Sequence, residues 1–357
     1  MSKIIIEEDL DQIHKIVKNK GNWKDATIVI TGCAGFLGFY FMHFFARKSN
    51  DLGISRIIGL DNFIFNKPSW LSTLEEKYSS IIVLKNFDVS KDKVSEIKNL
   101  DKARYVIHAA SIASPSYYRK YPIETMNSNI IGLQNLLEYF KNNSNLLGFL
   151  FFSSSEVYGD PDLKNIPTDE NYRGNVNCTG PRACYDESKR FGETLCWVYA
   201  DQYKMPITVA RPFNNYGPGM RIEDKRLPAD FAKNILKGED IYIFSDGTPK
   251  RTFCYISDAI AGYLLCLTYG KYDYFNIGID KPEIMVKDFA KIYIDLGKKY
   301  FNYNGKIKFK KNSDKYYMTD NPSRRCPIIN KAKKKLGYNP SVLVQDGVER
   351  YLKFLQN

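Results

Sequence analysis

The chain has little of what a secreted, membrane-spanning or metal-dependent protein needs. Its seven cysteines (33, 178, 184, 196, 254, 266 and 326) are odd in number and show no Cys-x-x-Cys, and its three histidines (14, 43 and 108) stand apart. Neither a disulfide framework nor a metal site is expected from that pattern. No apolar run comes near the roughly 18 residues that a membrane helix requires, and residues 1–25 are charged where a signal peptide would be apolar. The expectation is a cytoplasmic protein with reduced thiols and no membrane association. Internal repeats and low-complexity tracts are missing as well. Negative charge is in deficit: Lys plus Arg outnumber Asp plus Glu by 52 to 40, and the net charge of +12 favours an anionic partner. The basic residues are mostly lysines spread along the chain, somewhat denser in 302–335, and form no arm interleaved with aromatics. That distribution argues against nucleic acid; charge alone does not choose among the other anions.

What remains is an ordinary globular composition, 44% hydrophobic and 26% charged over 357 residues. That length suits one large α/β unit or two lobes sharing a cleft. After a polar helix-like opening around Glu7–Lys18, the run Thr27–Thr31 is a short apolar strand that ends in glycines, and a helical pattern begins near Phe36. Apolar runs return at Ile54–Leu60, Ser80–Leu84, Tyr105–Ala110, Gly148–Ser153 and Ile207–Ala210, separated by helical stretches such as Ile123–Tyr139 and Arg182–Tyr203. Continuous apolar runs alternating with helices read as buried parallel strands. The expected fold is therefore α/β: a doubly wound parallel (Rossmann) sheet over 24–215, an N-terminal extension over 1–23, and a smaller mixed lobe over 216–357 that binds substrate. Within that lobe, 251–278 is expected to return to the sheet.

Gly32-x-x-Gly35-x-x-Gly38 lies between the first strand and the first helix. Glycines there permit a tight turn, with Phe36 and Leu37 inside it, and let backbone N–H groups approach a pyrophosphate at the helix N-terminus. Asp61, with Asn62 beside it, stands just past the second apolar run, 23 residues after Gly38, where a carboxylate accepts from an adenosine ribose and repels a 2′-phosphate. NAD is the expected cofactor. Asp88 and Val89 after the third run suit the adenine, and Ala109, Ala110 and Ser111 after the fourth suit the pyrophosphate or nicotinamide side.

Tyr185 and Lys189 are four apart in a helical segment and share a face. An ammonium beside a phenol favours the phenolate, and the expectation is that Lys189 brings Tyr185 toward a working pKa for a general base. Ser154, at the end of the fifth run, faces the cleft and hydrogen-bonds the reacting oxygen beside Tyr185. Glu156 follows at the same edge as a second acid/base.

With these residues in hand, the chain resembles the extended short-chain dehydrogenase/reductase family of NAD-dependent nucleotide-sugar epimerases, dehydratases and decarboxylases over roughly 24–335. His108–Pro115, Ser154–Pro161 and Gly180–Glu187 are similar to signatures of its UDP-glucuronate decarboxylase branch. The resemblance implies a tightly held NAD, a catalytic triad of Ser154, Tyr185 and Lys189 with Glu156 beside it, and a homodimer formed through paired helices. It adds Asn129, Tyr185 and Lys189 to the cofactor contacts, and Ser114, Asn214 and Arg251 to those of a nucleotide-diphosphate sugar. Arg182 is expected to meet the substrate carboxylate, since a guanidinium matches it bidentately; an ion pair within the protein is its other reading.

The implied chemistry is oxidation at C4, loss of carbon dioxide from the β-keto acid, reprotonation at C5 with help from Glu156, and return of the hydride. Residues 211–230 depart from the decarboxylase pattern after Arg-x-Phe-Asn, and 293–318 has no clear family counterpart. A C4 epimerase or C4 dehydrogenase needs only the triad. A 4,6-dehydratase needs an Asp where this chain has Ser155, a poor acid. A non-catalytic dinucleotide-binding protein would not need Ser154, Tyr185 and Lys189 together.

Overall fold

The computed structural model describes residues 2–311, 316, 319 and 322–356; part of the 293–318 stretch lies outside the described residues. Seven strands form one sheet: β1 (Thr27–Thr31), β2 (Arg56–Asp61), β3 (Ile82–Asn86), β4 (Ala103–His108), β5 (Gly148–Phe152), β6 (Ile207–Pro212) and β7 (Asp273–Ile277). Every pairing is parallel, in the order β7-β6-β5-β4-β1-β2-β3. All five residues of β1 and of β5 are buried, because helices cover both faces, and this is why those strands are apolar without alternation.

Strand order reverses between β1 and β4, and the loops leaving the C-terminal ends of these two strands diverge there. Such a divergence opens a crevice at the sheet's edge. Strand ends differ from expectation by one or two residues. The second strand runs to Asp61 and so includes the residue expected just beyond it, and the fourth stops at His108, two residues short of Ala110. The helix expected at Ile123–Tyr139 spans 122–140 and widens to a π turn over Ser128–Gly132.

Beyond β6 the pattern breaks into short pairings. Asn215–Tyr216 runs parallel to Cys254–Tyr255, and Lys250–Arg251 lies between Ile284–Met285 and Arg324–Arg325. The helix Ile256–Leu267 is buried along all twelve residues. It packs under the sheet and against the first helix, Ser2–Val17, which in turn meets Val344–Leu355. One hydrophobic cluster runs through all of these, from Ile6 to Leu352.

Candidate active site

Two contiguous cavities, of about 370 and 350 Å³, open along the crevice and share Gly32, Gly35, Phe36, Ala109, Ser111 and Arg226 as walls. The turn after β1 makes this possible. Gly32 has φ +70°, and a Cβ there would lie 2.7 Å from the Ala109 carbonyl; a Cβ at Gly38 would lie 2.5 Å from the Gly32 and Cys33 carbonyl oxygens. Only glycine lets the helix Phe36–Arg47 start this close to the sheet.

The first cavity takes in Asp61, Asn62, Asp88, Val89 and Ala110. Asp61 accepts from Ala34 N–H at 3.0 Å and Phe63 N–H at 2.8 Å. Burial raises its pKa, while these two donors oppose the rise. Asn62 donates to Asp88 at 3.3 Å. Ser111 Oγ, at the junction, is buried without a hydrogen-bond partner among the described residues, as expected of a group whose partner is a ligand. A glycine cradle, a carboxylate at the end of β2 and an orphan hydroxyl between them fit an extended dinucleotide.

The second cavity takes in Leu37, Gly38, Ser154, Glu156, Arg182, Tyr185, Lys189, Asn214 and Arg251. Ser153 Oγ donates to Glu193 at 2.5 Å, and Glu193 is paired with Arg211, which fixes the chain as it leaves β5. Ser154 is then turned to the cavity, hydrogen-bonded to Tyr185 and accepting from Glu156 N–H at 3.2 Å. Lys189 Nζ donates to the Phe152 carbonyl at 2.7 Å and lies 5.6 Å from the Tyr185 ring. Tyr185 stacks on Tyr118, centroids 5.0 Å apart and planes at 10°.

The electrostatics correct one expectation. Burial pushes Tyr185 up to about 12, with the Ser154 hydrogen bond opposing and Glu156 adding to the rise. Burial also draws Lys189 down to about 7. Desolvation thus outweighs the pairing of phenol and ammonium, and with the protein's groups alone Tyr185 keeps its proton.

Residues 28–278 match the NAD dependent epimerase/dehydratase family. The chain belongs to that family. NAD is accordingly its cofactor. The chain is 32% identical over 98% of its length to UDP-glucuronic acid decarboxylase 1 of Xenopus tropicalis, covering 77% of that protein. It superposes on UDP-glucose 4-epimerase of Thermotoga maritima with a TM-score of 0.78 at 25% identity, covering 92% of this chain and 98% of that one. For UDP-glucuronic acid 4-epimerase of Bacillus cereus, solved with UDP-glucuronic acid and NAD, the TM-score is 0.76 at 27% identity, covering 92% and 99%.

Five of the expected contact residues are already hydrogen-bonded within the protein. Asn129 lines neither cavity; it is fully buried in the π turn and donates to Ser188 Oγ at 2.8 Å. Ser114 lies on the wall of the Asp61 cavity, and its hydroxyl donates to the Asp224 carbonyl at 2.6 Å, tying the helix Pro115–Lys120 to the segment after Gly219. Arg182 is engaged within the protein: its Nη2 donates to Glu156 Oε2 at 2.5 Å and its Nε lies 3.5 Å from Asp186. Asn214 donates to the Thr252 carbonyl at 3.0 Å, and Arg251 to those of Lys250, Pro322 and Ser323.

The family member also carries groups that sequence reasoning missed. Asp186, four residues after Arg182, shares its helical face, a spacing that sequence alone offers. Arg325, 2.9 Å from Glu156, has no such signal, because 169 residues separate the two and they are brought together by tertiary pairings, Arg324–Arg325 with Lys250–Arg251 and Pro327 with Thr168.

Proposed function

We propose that this protein decarboxylates a UDP-glucuronate-type nucleotide sugar through transient oxidation at C4. The observation that carries the reading is the meeting, in one cavity, of Ser154, Tyr185 and Lys189 with the Glu156–Arg182 pair. Oxidation at C4 needs only the first three. A carboxylate and a guanidinium beside them suit a substrate that has a carboxylate to hold and a carbon to reprotonate. Similarity to a UDP-glucuronic acid decarboxylase over nearly the whole chain supports the same reading.

In this proposal the Gly32–Gly38 turn, Asp61 and Asp88 hold the dinucleotide, while Asn214 and Arg251 hold the sugar's diphosphate. NAD bound there would supply the hydride acceptor and donor, and the positive charge of its oxidised form would favour the Tyr185 phenolate. Tyr185 removes the proton from the 4-hydroxyl while Ser154 donates to O4. The ketone at C4 is β to the carboxylate, so carbon dioxide departs as its electron pair becomes an enolate on O4, stabilised by Tyr185 O–H and Ser154. Glu156 assists protonation at C5. Residues 24–215 would serve the cofactor and 216–357 the sugar nucleotide.

A homodimer belongs to the same proposal. The helices 122–140 and Ala183–Tyr203 pack side by side and leave Ile123, Ile131, Phe191 and Trp197 exposed, a set of apolar side chains of the kind an interface covers.

The two solved 4-epimerases favour C4 epimerisation as a second reading. Mass spectrometry of products from UDP-glucuronate, UDP-glucose and dTDP-glucose separates the possibilities. Loss of the mass of carbon dioxide from UDP-glucuronate alone is the expected result. An isobaric product would favour epimerisation, loss of water from a hexose dehydration. Tyr185→Phe should lower the rate by roughly 10²–10⁴-fold, and Glu156→Gln should impair decarboxylation far more than any epimerisation.

A further inference from the structure

Glu156 is held twice. Its Oε2 accepts from Arg182 Nη2 at 2.5 Å and from Arg325 Nη2 at 2.9 Å, and Arg251 adds a third guanidinium to the same surroundings. On the far side of Arg182 lies Asp186, 4% exposed. Among the described residues, Asp186 Oδ1 and Arg325 Nε and Nη1 are buried without hydrogen-bond partners, and Arg182 Nε has only the 3.5 Å ion pair with Asp186. The Glu156–Arg182 pair therefore stands among buried guanidinium N–H groups of Arg182 and Arg325 that an anion can satisfy. The two guanidiniums that hold Glu156 differ in access. Arg182 lines the cavity beside Ser154 and Tyr185, whereas Arg325 is not among its walls. Of these two, Arg182 is the one an anion in the cavity can reach.

Burial favours the neutral form of Glu156, but Arg325, Arg182 and Arg251 together hold it ionised. The other titratable groups facing it are Asp186 and Tyr185 from the helix Ala183–Tyr203 and Tyr118 from the helix Pro115–Lys120. Neither a second carboxylate nor two phenols compensate for a lost guanidinium. When Arg182 turns to an incoming carboxylate, burial, the Asp186 charge and that new carboxylate act toward protonation, and only Arg325 and Arg251 still oppose it.

We propose that Arg182 is an exchangeable partner: Glu156 holds it in the free enzyme, the substrate's carboxylate takes it over on binding, and Glu156 then takes up a proton that it delivers to C5. This deepens the decarboxylase reading and rests on it. The C5–C6 bond breaks with its electron pair passing into the enolate, and carbon dioxide leaves neutral. The enolate recovers the ketone as a C5–H bond forms with the Glu156 proton, and the resulting carboxylate returns to Arg182. One proton enters from solvent per turnover, as loss of carbon dioxide from a carboxylate requires. A substrate without a carboxylate leaves the Glu156–Arg182 pair intact and finds no donor.

The test is titration calorimetry near neutral pH in buffers of different ionisation enthalpy, on the Tyr185→Phe holoenzyme so that ligand is bound but not turned over. UDP-glucuronate should bind with uptake of about one proton per site and UDP-glucose with none. Adding Glu156→Gln should abolish the uptake. Adding Arg182→Met should reduce the uptake, because the substrate carboxylate then has no guanidinium to draw from Glu156, and should weaken UDP-glucuronate more than UDP-glucose. Equal uptake with both ligands, or uptake that survives Glu156→Gln, overturns the exchange while leaving decarboxylation standing. Binding of UDP-glucose with no binding of UDP-glucuronate overturns both.

Discussion

A lysine with no carboxylate beside it, enclosed among apolar groups, gives up its proton easily, and Lys189 is in that position. Its Nζ meets a carbonyl and two aromatic rings, and burial brings it to about 7. From there up to the ordinary lysine range the unfolded chain holds a proton at this site that the folded chain lacks, so stability rises with pH across that window. Below about pH 7 the folded state carries the charge at full cost, on the order of a few kcal/mol. Lys189→Met removes the titration. The variant's gain in melting temperature over the parent should be largest near pH 7 and shrink as pH approaches about 10; a difference independent of pH would show that the amine is not buried in its neutral form. The same residue marks what sequence reveals at this scale. That Tyr185 and Lys189 share a face follows from their spacing. Which of the two changes its proton affinity more follows from desolvation, and desolvation is a property of everything packed around them.

Elements were legible where a single periodicity governs them. Strands buried on both faces write themselves as unbroken apolar runs, so the first six strands and the long helices stand out, with errors only at their ends. The first helix was read as a polar extension because charged residues dominate Glu7–Lys18. Yet Ile6, Leu10, Ile13 and Val17 recur at helical spacing and are buried, and Asp9 is 1% exposed. Asp9 accepts from Tyr40 at 2.6 Å, Tyr255 at 2.9 Å and Arg350 at 2.8 Å, so it joins the helix after the glycine turn to the last helix of the chain. A charged residue at a core position defeats a pattern rule, because its partners lie far off in sequence. Asp9→Asn leaves the Arg350 guanidinium short of its buried counter-charge, at a cost of about 3–5 kcal/mol, and should lower the melting temperature by roughly 10 °C. Glu8→Gln removes the exposed partner of the same arginine and should change it little. Equal effects from both would mean that the first helix is only loosely attached.

At the scale of the whole molecule, the half after β6 was the least legible. Apart from β7, its pairings are two or three residues long, too short for any periodicity, and they are specified by neighbours up to about seventy positions away, as Lys250–Arg251 is by Arg324–Arg325. That half nevertheless supplies Arg251 and Arg325 to the site, so the chemistry depends on a docking that composition does not announce. The helix Ala183–Tyr203 joins the two concerns. One side delivers Tyr185 and Lys189 to the cavity, while Phe191 is 48% and Trp197 54% exposed on its outer surface. Desolvating two such aromatic side chains and their symmetry mates contributes several kcal/mol to association, and isologous pairing of one helical face with itself is the simplest closed assembly. Light scattering should therefore give twice the chain mass for the parent protein and the chain mass for Phe191→Asp combined with Trp197→Asp. Because the mutated helix also carries Tyr185, the monomer should retain its fold by circular dichroism yet release NAD more readily on gel filtration. A parent protein that is already monomeric at micromolar concentration would refute the dimer while leaving the cavity and its chemistry untouched.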